Sequence, residues 1–328
     1  MNSAKFKKIV GQNSIWLVLV FMVVLMAFLS PAFLTPQNII NVLTTESITG
    51  ILAVGVMWCI LSKGIDLSPG ALVAWTGVVT ASLAQEFEYG ASRLFPNLPD
   101  IPVVIAIFAG VIVGTLFGVL NGWLIAYTKI PAFIATLGTQ LIARALALLY
   151  TNAYPIPELK PGLKAVAQYN LFGFIPMVIV IFIIFAVISG FMLTQTRFGK
   201  CIYAIGGNDQ AARVAGINVE KNLIKVYTWC AFCASVGGIL LAARSGAGNA
   251  SVGVNYELDA IAAATVGGTS HSGGVCRISG VIAGILILGI LKNGMMLLKI
   301  SPYVQQVCKG AIIILAVVFD MRRNAKKA

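Results

Sequence analysis

Charge is scarce in this chain. Of 328 residues, 23 are lysine or arginine, 11 are aspartate or glutamate and one is histidine. That makes 10% charged, where a soluble domain carries roughly 25%. So little polar surface cannot keep the chain in water, and a soluble globular enzyme is excluded. Catalytic signatures are missing too. No GxxxxGK[ST] phosphate loop, HExxH zinc pair or GxSxG nucleophile turn occurs. No paired-carboxylate arrangement is evident, and His271 has no catalytic partner in sequence. The net charge of +12 is not gathered on one face interleaved with aromatics, which argues against a nucleic-acid partner. Among six cysteines only Cys230 and Cys233 form a CxxC. With no second pair or histidine nearby, helix packing is expected there and no metal site.

What the chain does have is long apolar runs, such as 176–193, 103–126 and 309–319. Their lengths approach the ~20 residues that cross hydrocarbon. Backbone polar groups in such a run must be satisfied internally, which forces helix. None of the runs alternates apolar and polar residues with period two, which sets a β-barrel aside. The expected fold is therefore all-α and polytopic, a single transmembrane domain over 1–328. Ten spans are expected near 14–30, 47–62, 70–85, 102–127, 133–151, 173–193, 223–243, 257–268, 279–298 and 303–320. Lys5, Lys7 and Lys8 before the first span resemble a signal peptide, but no small-residue cleavage site stands out after it. That span is expected to be retained.

With the N-terminus inside, one side receives Lys5, Lys7, Lys8, Lys63, Lys129, Arg197, Lys200, Arg213, Lys221, Lys225, Arg277, Arg322, Arg323, Lys326 and Lys327. The other side receives Arg93, Lys160, Lys164, Arg244 and Lys299, and Arg144, Lys292 and Lys309 fall within spans. This asymmetry puts both termini in the cytoplasm by the positive-inside rule.

The eighth span is too short to cross and ends in Gly267-Gly268. It is expected to be broken or re-entrant, a form tolerated at membrane depth only where protein buries it or a cavity is lined. Asn121-Gly122, followed by Ile130-Pro131-Ala132-Phe133, is echoed by Asn293-Gly294 and Ile300-Ser301-Pro302-Tyr303. The copies fall on opposite sides, so spans two to five and seven to ten are expected to form an inverted repeat.

The longest cytoplasmic loop, 194–222, carries Gly206-Gly207-Asn208-Asp209-Gln210-Ala211-Ala212-Arg213-Val214-Ala215-Gly216. Asn208 suits an N-cap, Asp209 the positive end of the helix dipole and Gly216 a C-terminal stop. A short capped helix with small residues on one face fits a groove of another protein, although a solvated loop helix would read the same.

This loop resembles the coupling signature of the membrane subunits of bacterial ATP-binding-cassette sugar importers, the ribose, xylose, arabinose and galactose group. Similar segments are Gly64-Ile65-Asp66-Leu67-Ser68-Pro69-Gly70, Asn121-Gly122 with 131–139, and Gly267-Gly268-Thr269-Ser270-His271-Ser272-Gly273-Gly274. The stretches 256–263 and 309–314 look most like the galactose/methylgalactoside permeases of that group. The resemblance implies an inner-membrane permease without chemistry of its own. Two copies would enclose the path, and a periplasmic sugar-binding protein would deliver a monosaccharide. A separate ATPase holding ATP and Mg would dock on Gly207, Asn208, Ala211, Ala212, Arg213 and Gly216.

Ionisable residues at membrane depth are costly and often functional. Asp66 is expected either to cap the third span or to make a gating contact, and Asp259 and Glu257 either to start a helix or to line the path. Arg144 needs a partner or a cavity. Neutral sugars are held by amides and hydroxyls, which makes Ser68, Asn121, Thr136, Thr139, Thr265 and Asn293 candidates for the path. Helix–helix hydrogen bonds are the plainer role for each. The alternative function is a self-contained ion-coupled transporter using Asp66, Asp259 and Arg144.

Overall fold

The computed structural model describes residues 14–325, in thirteen α-helices and one two-stranded hairpin. Lys5, Lys7, Lys8, Lys326 and Lys327, which carry part of the charge asymmetry, lie outside the described residues. The helices are α1 Ser14–Leu29, α2 Pro36–Leu61, α3 Pro69–Leu83, α4 Val103–Trp123, α5 Ala132–Thr151, α6 Pro161–Gln168, α7 Met177–Gln195, α8 Arg197–Gly207, α9 Asp209–Val214, α10 Val219–Ser245, α11 Tyr256–Val266, α12 Ile278–Leu297 and α13 Pro302–Ala325. Ten of them coincide with the expected spans. Seven are long and apolar enough to cross a membrane, α1 and α3 are shorter apolar helices, and α11 has eleven residues.

Three stretches differ from expectation. Helix α2 begins eleven residues before the expected 47, because its first turns (PQNIINVLTTES) are too polar to register as a span. The start signal was local instead: Pro36 stands at the first position after Thr35, whose hydroxyl accepts the Asn38 N–H. The segment 194–222 is not one loop with a single short helix, since α8 precedes α9. The hydroxyl of Thr196 caps α8 by accepting the Gly199 N–H at 3.2 Å. Between α5 and α7 the chain forms α6 and the hairpin Asn170–Leu171 with Ile175–Pro176.

Helices α2, α3, α10, α11 and α12 form the interior. α10 packs on α3 and α4, α2 packs on α11 and α12, and α2 and α10 pack on each other. Helix α10 thus packs among helices of the first half of the chain, and α2 among helices of the second. Two short helices, α3 and α11, occupy corresponding places in the halves, and each follows a non-helical segment, 62–68 and 246–255. Lipid supplies little drive for helix association, so close backbone approach must do so. Ala106, Gly110, Gly114, Gly118 and Gly122 supply it as a buried small-residue stripe along α4. A Cβ at Gly118 would stand 2.5 Å from the Tyr227 carbonyl oxygen of α10. The outer ring exposes large apolar side chains, among them Phe28, Phe108, Leu149, Phe191 and Ile314, a surface suited to acyl chains and not to water.

Candidate functional site

Helix α9 is built from its caps. Asn208 Oδ1 accepts the Ala211 N–H at 3.0 Å. Beyond Val214 the chain turns at Gly216, whose φ is +81°, while Ile217 N–H reaches back to the Ala212 carbonyl at 3.0 Å. Only a residue without Cβ takes that turn at no cost. Gly207, Asn208, Ala211, Arg213 and Gly216 are exposed, and so is Val214, at 91%. Ala212 is different. At 3% exposure it faces the chain's own core, so it seats α9 and is not a surface offered to a partner. Arg213 is paired with Glu220 of α10 at 2.5 Å. A groove of about 600 Å³, lined by Lys63, Lys129, Asp209 and Arg213 among others, runs beside α9.

Helix α8 ties α9 to the interior. Phe198 stacks on Trp58 of α2 with centroids 5.1 Å apart. Gly206 lies against the end of α2 so tightly that a Cβ there would meet the Leu61 carbonyl oxygen at 1.8 Å. That same carbonyl accepts the Gly274 N–H at 3.0 Å. Lys63 Nζ donates to the Gly207 carbonyl at 3.2 Å, and the Tyr203 hydroxyl donates to the Cys276 carbonyl at 2.7 Å. Burial pushes the Tyr203 hydroxyl up to about 12, which keeps it a donor. The segment 267–277 is therefore a junction. It receives α8 on one side and α13 on another, where Ser270 Oγ and His271 N–H both donate to Asp320 at 3.0 Å. His271 Nε2 lies 2.7 Å from Thr265 Oγ1 of α11, and burial lowers the imidazole below its usual range against the opposing pull of Asp320.

The candidate path residues divide into three groups. Asp66, Ser68, Asn121, Thr136 and Thr139 form one buried arrangement. Thr139 Oγ1 donates to Asn121 Oδ1 at 2.7 Å, Asn121 Nδ2 to Ser68 Oγ at 3.2 Å, and Ser68 Oγ to Asp66 Oδ1 at 2.7 Å. Asp66 Oδ1 also accepts the Ser68 N–H at 2.9 Å, and Leu67 N–H donates to Thr136 Oγ1 at 3.1 Å. This is the hydrogen-bonded turn that starts α3, with α4 and α5 holding it. Sγ of Cys59, Sγ of Cys230 and an Asp66 oxygen lie within 4.8 Å of one another, a three-residue grouping that the CxxC spacing did not point to.

The second group ties α11 and α12 to neighbouring segments. Asn293 pairs with Asn38 of α2, Thr265 meets His271, and Gln140 of α5 donates to Glu257 at 3.2 Å. Arg144 finds its partners in carbonyls. Nη1 donates to Ala250 at 2.7 Å and Val252 at 2.6 Å, and Nη2 to Gly70 at 3.2 Å. It thereby pins the loop ahead of α11 to the first turn of α3.

Asp259, the third group, opens on a cavity. That cavity, about 290 Å³ between α2, α11, α12 and α13, also carries Glu46, Lys292 and Lys309. Both lysines fall inside expected spans, Lys292 in the ninth and Lys309 in the tenth, with no site assigned to them. The available signal was the cost of an ionisable group in a span, which asks for a partner. The partners are Glu46 for Lys292, at 3.9 Å, and Asp259 for Lys309.

Comparison with known proteins bears on the family of the chain. Residues 38–317 match the family described as branched-chain amino acid transport system / permease component. The chain is 37% identical over its whole length to the galactose/methyl galactoside import permease protein MglC of Escherichia coli K12, covering 99% of that protein. It is 38% identical to the ribose import permease protein RbsC of the same strain, over 93% of this chain and 92% of that one. Against RbsC of Bacillus subtilis the identity is 37% over 94% of this chain and 92% of the relative. No solved structure matches the chain. With its polytopic all-α fold, and a family match spanning most of its length, this chain belongs to the permease-component family of transport systems.

Proposed function

We propose that this chain is the membrane-spanning subunit of an ATP-binding-cassette importer that carries a monosaccharide, galactose or a methylgalactoside first among candidates, across a bacterial inner membrane. The observation that carries this reading is full-length similarity to import permeases named for galactose and for ribose. The chain acts as one permease domain over 1–328, with both termini cytoplasmic and 194–222 as its coupling segment. A second copy completes the path, and a periplasmic binding protein delivers the sugar. ATP and Mg are held by a separate ATPase.

In this reading the coupling step follows the contacts of α8 and α9. A force on the exposed face of α9 reaches α8, whose Gly206 and Tyr203 bear on the end of α2 and on 267–277. That junction is bonded to α11 and α13, and α2, α11 and α13 are three walls of the cavity around Asp259. Packed interiors shift as units and do not deform smoothly, so docking at α9 can reshape the cavity at the opposite end of the same helices.

The test is uptake in proteoliposomes holding this chain, its ATPase and its binding protein, offered labelled galactose, ribose or leucine with ATP enclosed. ATP-dependent galactose uptake that vanishes without the ATPase is the expected result. Ribose uptake would keep the mechanism and change the sugar, and leucine uptake would replace the substrate class. Uptake without the ATPase would overturn the mechanism.

A further inference from the structure

Four ionisable residues from four different helices surround one cavity, and helix packing does not require them. Glu46 comes from α2, Asp259 from α11, Lys292 from α12 and Lys309 from α13. Removing charge from water is expensive, and apolar residues of similar volume hold helices together as well or better. Charges kept at such a place mark a functional site. The carboxyl side chains are largely shielded, Glu46 at 10% and Asp259 at 17% exposure.

We propose that this cavity is a binding site for a neutral monosaccharide within the permease itself, an inference that rests on the import reading above. Three observations argue for that chemical class. The volume of about 290 Å³ lies at the low end for small-molecule pockets, which run from roughly 300 Å³, so it suits a single ring. Two carboxylates and two ammonium groups sum to zero charge, which favours neither an anion nor a cation. Each pair also offers an acceptor beside a donor, as a hydroxyl or a vicinal diol requires. At 3.9 Å, Lys292 and Glu46 are too far apart for a direct hydrogen bond, leaving room for a hydroxyl to bridge them. Tyr256 adds an aromatic wall, and Ala263, Ile285 and Leu288 give an apolar floor for the ring's C–H face. Hydrogen bonds to charged groups are stronger than those between neutral ones, and the two carboxylates are the shielded partners here, Lys292 being 54% exposed.

The experiment uses the permease in nanodiscs without its binding protein, with binding of tritiated galactose and ribose measured by equilibrium dialysis, and in parallel the complete importer in proteoliposomes. Wild type binds one of these sugars. Glu46→Gln and Asp259→Asn each weaken that binding about tenfold or more, the loss expected for a hydrogen bond to a charged group. Leu288→Trp, which fills the floor, weakens it similarly. Exchange of the α11–α13 pair, Asp259→Lys with Lys309→Asp, keeps the ion pair but not the positions of donor and acceptor, so it does not restore binding. Co-purification of the ATPase with each variant checks that it folds. Full restoration by the exchange would overturn the proposal, since the pair would then merely hold α11 to α13. So would ATP-dependent uptake by Glu46→Gln, Asp259→Asn and Leu288→Trp at the wild-type rate, or a cavity occupied by lipid with no sugar bound by wild type. Failure of the import reading has a different signature: sugar binds wild type and is lost in the variants, while no ATP-dependent uptake occurs.

Discussion

Asn38 of α2 and Asn293 of α12 face each other as a reciprocal amide pair, each side chain donating to the other's carbonyl oxygen at 3.0 and 2.9 Å. Asn38 also donates to the Phe33 carbonyl at 2.9 Å. The pair clamps the start of a helix whose first turns are polar to one whose glycines allow close approach. Asn293, a candidate for the sugar path, thus has its amide already engaged.

A double-mutant cycle on Asn38→Ala and Asn293→Ala should yield a coupling energy of about 0.6 to 1.7 kcal/mol, the range for hydrogen bonds between helices in membranes. Unfolding in detergent measures it. A change in substrate selectivity at unchanged stability would contradict the clamp.

Val214 and Ala212 should separate docking from folding. Val214→Asp alters a side chain that is 91% exposed and should cut ATP-driven uptake and ATPase co-purification while leaving Tm within a few degrees, since exposed substitutions usually cost under about 0.5 kcal/mol. Ala212→Asp buries a charge and should destabilise the chain by about 2 kcal/mol or more, lowering Tm even with no ATPase present.

Replacing Arg144 by Ala removes three bonds to carbonyls and should cost about 2 to 4 kcal/mol, because the carbonyls of Ala250, Val252 and Gly70 lose a charged donor. Arg144→Lys should recover only part of that, since an ammonium group cannot reproduce the planar fork. Thermal unfolding in detergent and protease cleavage within 246–255 report the two effects.

His271 predicts a pH dependence. Burial holds its imidazole below the usual value of 6.5, so the unfolded chain binds the proton more readily than the folded one. Stability therefore rises with pH through this window, with the full contribution present above about 6.5 and lost as pH falls through it. Tm should drop between pH 7.5 and 5.5, and His271→Gln, which retains a hydrogen-bonding partner for Thr265, should flatten that part of the profile. An unchanged slope in the variant would assign the effect elsewhere.

Gly206→Ala should uncouple the two faces. Its Cβ would meet the Leu61 carbonyl oxygen at 1.8 Å and the Gly274 nitrogen at 2.5 Å, both backbone atoms with no rotamer in which to retreat. ATP-driven uptake should fall well beyond tenfold, whereas Gly138→Ala, at an exposed position of α5 where a Cβ meets nothing within 4 Å, should stay near wild type. Equal effects would show that α8 does not transmit the movement.

The sequence by itself determined the class of this protein and most of its helices. Apolar runs near twenty residues long admit only helix in hydrocarbon, and caps such as Asn208 and stops such as Gly216 act over four or five residues, within reach of local reading. The early start of α2 was hidden because its first turns are polar, although Thr35-Pro36 marked it. Tertiary structure alone decided the partners. That Asp66, Ser68, Asn121, Thr136 and Thr139 close into one buried arrangement, that Arg144 ends on the carbonyls of Ala250 and Val252, more than a hundred residues away, and that Asp259 and Lys309 meet at a cavity all depend on helices packed from distant parts of the chain. An ionisable residue in a span announces in sequence that it needs a counterpart, but the identity of that counterpart is a fact of packing.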